Sequence, residues 1–141
     1  MAESICLHYT VPGDDFTRAG EASADLKQRL KKLGLPPDAV RKVSIALYEG
    51  EINLAIHAHG GNIDVEVGDD AVRMTLSDSG PGIADIALAM SEGYSTAPDE
   101  VRSLGFGAGM GLPNMKKYSD VLEVDTTLGV GTTVRMVVKI V

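Results

Sequence analysis

Glu49 and Asn53 are the two side chains of this sequence whose types and spacing most directly indicate chemistry. A separation of four residues stacks them one turn apart on one face of a helix. Apolar residues flank this face at helical spacing, so the pair would be partly buried, and a buried carboxylate is costly without a partner. Two interpretations stay open. The pair caps a neighbouring loop, or Asn53 binds Mg²⁺ while Glu49 orients or deprotonates an attacking hydroxyl or water.

Two glycine-rich segments follow, and each has a composition that lets a ligand approach the backbone. The first, Asp78-Ser79-Gly80-Pro81-Gly82, comes directly after an alternating strand pattern. Its aspartate can accept a hydrogen bond from an exocyclic amine such as that of adenine, although an ordinary Asp-x-Gly turn has the same letters. The second runs from Gly105 to Gly111 with glycine at every second position. Backbone amides at the start of the helix that follows would face a phosphate.

Other nucleotide motifs do not fit the second glycine segment. No Gly-Lys-Ser/Thr follows it, which excludes a P-loop. In a G-x-G-x-x-G register beginning at Gly105, Met110 stands where the last glycine belongs, which excludes a dinucleotide fingerprint. Near the end of the chain, Gly129-Val130-Gly131-Thr132 has the composition of a hairpin turn, and by itself it indicates no more than that.

Hydrophobic periodicity predicts the elements that must position these residues. On the second helix, Glu51 lies well round from Glu49, and we expect it to be solvated. The order β-α-α-β-β, a long loop and α-β-β indicates an α+β two-layer sandwich: a mixed, mostly antiparallel sheet covered on one face by helices. The predicted bounds are strands at 5–11, 63–67, 72–76, 120–126 and 132–141, and helices at 15–34, 37–59 and 111–118.

Composition restricts the class of protein. The 141 residues form a single domain, 1–141, with a core built mainly from aliphatic side chains, since the sequence has only two Phe, four Tyr and no Trp. A net charge of −7 argues against nucleic acid or an anionic membrane as partner. Cys6 is the only cysteine, so an internal disulfide is excluded. Without a secretory signal pattern or an apolar run of about 18 residues, we expect a cytoplasmic protein.

The Glu49–Asn53 pair, the two glycine-rich segments and Gly129-Val130-Gly131-Thr132 follow one another in a characteristic order and spacing. In this they resemble the ATP-binding domain shared by histidine kinases, gyrases and one class of heat-shock chaperones, the GHKL or Bergerat fold. The resemblance covers about residues 37–141. It implies ATP and Mg²⁺ as cofactors, with Glu49 as the catalytic acid/base and Asn53 as the magnesium ligand. The residues that it implies for ATP binding are Asn53, Asp78, Gly80, Gly82, Gly105, Gly107, Ala108, Gly109, Met110, Gly111, Leu112 and Thr132. Of these, Asp78, Gly82 and Thr132 would contact adenine, and Gly107, Gly109 and Gly111 would form the phosphate loop.

Within that superfamily, Gly93-Tyr94-Ser95-Thr96 and the glycine segment ending Gly-Leu-Pro resemble the small serine/threonine kinases of bacterial partner switching. The implied reaction is transfer of the ATP γ-phosphoryl group to a Ser or Thr of a STAS-domain anti-sigma-factor antagonist. Residues 91–104 would form a lid, in which Arg102 either reaches the γ-phosphate or is solvated. A sigma factor is the other implied partner. A homodimer is a further possibility that the resemblance raises, because anti-sigma relatives often dimerise, and the sequence leaves the oligomeric state open.

Two alternatives remain at this point. One is a nucleotide-dependent binding module that regulates a sigma factor or another partner without catalysis. The other is a detached histidine-kinase catalytic domain that phosphorylates a separate protein. Gly50, beside the glutamate that the resemblance makes catalytic, lies inside the predicted helix, where glycine is about 1 kcal/mol less stable than alanine. It would let a neighbouring element pack closely.

Overall fold

The computed structural model describes residues 4–13, 18–57, 60–80 and 111–140. Their order is the one that periodicity predicts, with bounds displaced by a few residues. The elements are β1 (Ile5–Pro12), α1 (Glu21–Lys32), α2 (Pro37–His57), β2 (Gly60–Val67), β3 (Ala71–Ser77), α3 (Gly111–Lys117), β4 (Val121–Thr127) and β5 (Gly131–Lys139).

The five strands form one sheet in the order β1-β2-β3-β5-β4. All four pairings are antiparallel, so the described sheet lacks the parallel pair that a mixed sheet would contain. Alternate residues of each strand point to opposite faces. Ile63, Val65 and Val67 of β2 are buried, whereas the side chains between them are exposed. The two-layer α+β architecture is therefore confirmed.

The first helix is shorter than its periodicity predicts. Instead of running over 15–34, α1 begins at Glu21, directly after Gly20, whose backbone is left-handed with φ 100°. It ends before Gly34, which has φ 80° and donates its N–H to the Lys31 carbonyl. A left-handed glycine just past the last turn is a common helix stop. Leu33 lies in this terminating turn and is 46% exposed.

Helix α2 lies across the sheet and is the central element of the core. Val43, Ala46 and Leu47 have no exposed surface. Further along α2, a Cβ added to Gly50 would collide with Cδ2 of Leu76 on β3 and lie 3.5 Å from Sδ of Met115 on α3. The glycine therefore allows α2 to approach both neighbours closely, in agreement with the prediction of close packing.

Candidate functional site

Asp78 and Thr132, which are 54 positions apart in sequence, are joined by two hydrogen bonds. Asp78 follows the last residue of β3, and Thr132 lies on β5, the strand paired with β3. The N–H of Asp78 donates to the Thr132 carbonyl at 3.0 Å, and the N–H of Thr132 donates to Asp78 Oδ1 at 3.2 Å. Gly80 N–H donates to the same Oδ1 at 2.8 Å, which closes the loop after β3.

Among the described residues, this arrangement leaves one carboxylate oxygen of Asp78 without a hydrogen-bond partner. Within the described ranges, Oδ1 accepts two hydrogen bonds and no group is bonded to Oδ2. The side chain is half-buried, and Thr132 beside it is 8% exposed, with its hydroxyl 2.9 Å from that of Thr126. An oriented acceptor next to a nearly buried threonine is the chemistry needed to bind an exocyclic amine.

Gly131 makes this contact possible. Its φ is 147°, in the region that side chains rarely adopt, and an added Cβ would collide with the backbone oxygen of Asp78 and lie 3.0 Å from Cα of Ser79. The glycine before Thr132 therefore allows the loop after β3 to lie directly on the start of β5.

Glu49 is half-buried on α2, and its surroundings favour the protonated form. Burial raises the pKa of its carboxyl group, and a hydrogen bond from Asn114 on α3 offsets part of that rise. A carboxylate whose pKa is displaced towards neutrality is better suited to accept a proton than an exposed one.

Asn53 is half-buried one turn after Glu49. The turn of α2 that carries it meets the end of β3 around Gly61. A Cβ added to Gly61 would lie 2.5 Å from the Ser77 carbonyl oxygen, 2.8 Å from Leu54 Cδ2 and 3.4 Å from Asp78 Cβ. Leu54, which follows Asn53, and Asp78 thus both lie against Gly61. The turn of α2 that carries Asn53 is therefore close to the segment that begins at Asp78.

Glu51 is not solvated, and that expectation was wrong. Its side chain is 2% exposed and accepts three hydrogen bonds of 3.0 Å. The donors are the backbone N–H groups of Gly20, Ala22 and Ser23 at the start of α1, where Gly20 offers no side-chain cap. The carboxylate therefore caps a helix that is distant in sequence, in place of the local N-cap residue that most helices use. It also ties α1 to the turn of α2 that holds Glu49 and Asn53.

The remaining predicted site residues divide into two groups. Gly111 begins α3, and Leu112 is 6% exposed with its side chain in the hydrophobic core, so only its backbone is available to a ligand. The others lie outside the described residues: Gly82, Gly105, Gly107, Ala108, Gly109 and Met110, together with Arg102 and the lid segment 91–104.

Two polar residues beside the site were not predicted. Thr126 pairs with Thr132 across the last hairpin, and counting back from the Gly129 turn would have found it. Asn114 carries no such indication, because its relation to Glu49 depends on how α3 packs against α2.

Over the ranges that the structure describes, no three His, Cys, Asp or Glu side chains gather as a metal-binding group. In those ranges, too, none of the helices combines the length and the apolar character that crossing a membrane requires.

The chain matches the family model of the histidine kinase-like ATPase domain over residues 14–138. It belongs to that family. The predicted GHKL resemblance is thereby confirmed, and the description of the family implies ATP as the nucleotide.

Relatives agree with the predicted subgroup. An anti-sigma F factor of Clostridium beijerinckii is 35% identical over 103 residues, covering 69% of this chain and 68% of the relative. The serine/threonine-protein kinase RsbT of Bacillus subtilis is 29% identical over 111 residues, covering 76% and 77%. One relative is named an anti-sigma factor and the other a serine/threonine kinase, which supports a family of the partner-switching type.

Solved structures share the fold. The RsbU and RsbW domains of Rv1364c from Mycobacterium tuberculosis align with a TM-score of 0.64 at 16% identity, over 95% of this chain and 32% of that longer chain. The SiaB-SiaC complex from Pseudomonas aeruginosa contains a chain that aligns with a TM-score of 0.61 at 12% identity, over 94% of this chain and 88% of that one. At these identities the likeness establishes the fold alone.

Proposed function

We propose that this histidine kinase-like domain is a serine/threonine protein kinase of the partner-switching type. It transfers the γ-phosphoryl group of ATP to a Ser or Thr of a STAS-domain antagonist protein. The observation that carries the proposal is the pairing of Asp78 with Thr132. This pairing holds a half-buried carboxylate, whose second oxygen has no hydrogen-bond partner among the described residues, close to the turn of α2 that carries Asn53.

In this proposal, Asp78 accepts a hydrogen bond from the adenine amine, and Thr132 supports the same edge of the base. Asn53 would hold Mg²⁺ through its side-chain oxygen, and one protein ligand would be enough because magnesium keeps several of its waters. Bound there, the ion would neutralise charge on the triphosphate. Gly82, Gly107, Gly109 and Gly111 complete the nucleotide site through their backbone.

Glu49 is the proposed general base. Its carboxylate takes the proton of the incoming Ser or Thr hydroxyl as that oxygen bonds to the γ-phosphorus. The bond from phosphorus to the β,γ-bridging oxygen breaks, and ADP leaves. The raised pKa of Glu49 supports this role, and Asn114 holds the carboxylate in place. Most of the rate comes from positioning and charge neutralisation, because the protein forms no covalent bond to the phosphoryl group.

Asp78→Asn tests the nucleotide site. An amide oxygen can replace Oδ1 and keep both backbone hydrogen bonds, while the amide NH₂ replaces the free oxygen and cannot accept from adenine. We expect the affinity for Mg-ATP, measured by calorimetry, to fall about thirtyfold, or about 2 kcal/mol. Asp69→Asn in the exposed β2–β3 turn is the matched control and should bind normally. Equal ATP affinity in the Asp78 variant and the control would refute the adenine assignment.

Glu49→Gln tests the transfer step. With radiolabelled ATP and a STAS-domain protein from the same organism, we expect phosphorylation to fall by about 10² or more while ATP still binds. Glu66→Gln, on the exposed sheet face, is the control. The phosphate on the substrate should survive acid. Acid-labile label would identify a detached histidine-kinase activity instead.

The name of the Clostridium relative, an anti-sigma F factor, supports a second candidate, in which ATP only sets affinity for a sigma factor. Glu49→Gln separates the two functions. A variant that still represses its sigma factor in cells, with no phosphorylated partner in either strain, would favour binding alone. We also propose that the protein acts in the cytoplasm, where ATP and sigma factors are found. Homodimerisation remains a prediction, which sedimentation analysis would test.

A further inference from the structure

An open groove lies between α1 and α2, at the end of the helical layer where the two helices are connected. Its volume is about 350 Å³. Leu35, Val40 and Ile45 form an apolar floor together with Pro37, and Lys27, Lys31 and Arg41 form a basic rim. The Ser44 hydroxyl, also in the lining, donates to the Val40 carbonyl at 2.6 Å, so it does not offer a free donor.

The groove concentrates positive charge on an acidic protein. The whole chain has 13 Lys and Arg against 20 Asp and Glu, but residues 27–48 contain six Lys and Arg and one acid, Asp38. Asp38 pairs with Arg41 and Lys42. Among the described residues, no carboxylate lies within ion-pairing distance of Lys27 or Lys31. Lys27 and Lys31 therefore lie beside apolar surface with no carboxylate partner in the part of the chain that the structure describes.

The walls of the groove are held in place before anything binds. Gly34 N–H donates to the Lys31 carbonyl and Leu35 N–H to the Leu30 carbonyl, which fixes the turn after α1. Val40 N–H donates to the Pro36 carbonyl, which fixes the start of α2. On the other side, the Arg41 guanidinium lies 5.7 Å from the Tyr118 ring centroid. A groove with fixed walls binds a ligand with a small loss of conformational entropy.

We propose that this groove is a docking site for an acidic, amphipathic helix of a partner protein. Apolar residues at i, i+3, i+4 and i+7 of that helix fill the space over Leu35 and Ile45. Its flanking carboxylates pair with Lys27, Lys31 and Arg41. Charge complementarity is the reason for choosing this occupant, because a basic rim around an apolar floor favours a ligand with an apolar stripe and flanking carboxylates.

Glu49 is not among the residues that line the groove. Ile45 and Arg41, which do line it, precede Glu49 by four and eight residues on α2, or about 6 and 12 Å along the helix axis at 1.5 Å per residue. The inference does not depend on phosphoryl transfer and applies equally to a partner that is only bound.

A designed peptide of about 20 residues tests the inference, with Leu at helical spacing and Glu on both flanks of the Leu stripe. Its binding to the full chain is followed by fluorescence anisotropy. We expect K27E/K31E to weaken binding about tenfold or more. Raising the salt from about 0.05 M to 0.5 M should also weaken it, because partly exposed ion pairs are screened.

K116E/K139E is the matched control. It makes the same change in net charge at two exposed lysines outside the groove, and it should bind the peptide as the unmodified chain does. A second peptide with Gln in place of every Glu tests whether the acids are needed. The proposal is overturned if the Gln peptide binds equally well, if both double variants lose the same affinity, or if the Glu peptide does not bind. Circular dichroism confirms that each variant is folded.

Two other occupants would also overturn the proposal. Sedimentation of the protein alone would assign the groove to a second copy of the chain if it revealed a dimer that K27E/K31E dissociates. Vesicles containing phosphatidylglycerol would assign it to a membrane surface if they bound the protein through Lys27 and Lys31 while the Glu peptide did not.

Discussion

Replacing Glu51 with alanine should destabilise the fold more than any change at a surface carboxylate. The side chain is buried and accepts three backbone N–H groups at the start of α1. Alanine leaves those three donors without their acceptor and opens a space between the two helices. The substitution therefore tests whether a carboxylate supplied by α2 is the cap of α1.

The expected magnitude follows from the bonds lost. Removing a helix cap costs about 0.5–2 kcal/mol, and each buried donor left unpaired costs about 1–3 kcal/mol. The alanine variant recovers the desolvation cost of a buried carboxylate, which is several kcal/mol. The net loss in the free energy of unfolding should be about 3 kcal/mol. For a chain of this length, that change lowers Tm by roughly 10 °C.

Urea unfolding followed by circular dichroism measures the loss, provided that the slope of the transition stays constant. Glu51→Gln gives a graded comparison. Its amide oxygen can replace Oε2, which accepts two of the three N–H groups, but its NH₂ group then faces the N–H of Ser23. We expect it to lose about 1–2 kcal/mol. Glu21→Gln is the control. Among the described residues, Glu21 forms an exposed pair with Arg18 and no other ion pair, so its substitution should change stability by less than about 0.5 kcal/mol.

A loss of under about 1 kcal/mol for Glu51→Ala would refute the reasoning, because it would mean that the three amides find other acceptors at little cost. A Gln variant less stable than the Ala variant would also contradict it, because the Gln side chain keeps an acceptor that Ala lacks.

Three further predictions concern Gly131, Gly50 and the pH dependence of Glu49. Gly131→Ala should lower the free energy of unfolding by at least about 2 kcal/mol and weaken ATP binding, because the added Cβ collides with the Asp78 backbone. Gly129 is also left-handed but has open space around it, so Gly129→Ala should lower the free energy of unfolding by only about 1 kcal/mol. Urea unfolding measures both losses. Gly50→Ala should destabilise by about 1–2 kcal/mol although helix propensity alone favours Ala, and a double-mutant cycle with Leu76→Val should recover part of the loss. Glu49→Gln should raise Tm more at pH 7 than at pH 4. Because the pKa of Glu49 is raised in the folded state, the wild type loses stability as the pH rises through that pKa. The amide of the variant does not titrate, so the variant does not show this loss.

The sequence determined the elements and the family. Period-two alternation placed β2 and β3, and helical periodicity placed most of α2, because both patterns are local and each core face must be apolar. Its helix bounds were less accurate. The predicted helix began at residue 15, yet the first described turn of α1 follows Gly20 and is capped by a residue 31 positions later. The order and spacing of the Glu49–Asn53 pair and the glycine segments were enough to identify the family, which the family model confirms over residues 14–138.

The tertiary structure alone decided how the polar groups are paired. A side chain's position on a helix says which way it points, but not which backbone amides arrive there from another part of the chain. Glu51 is buried because the start of α1 brings three unpaired N–H groups to it. Asp78 and Thr132 meet because β3 pairs with β5, and the basic groove exists because the turn after α1 returns the chain alongside it. Each of these contacts joins segments that are distant in sequence, and local periodicity carries no information about such contacts.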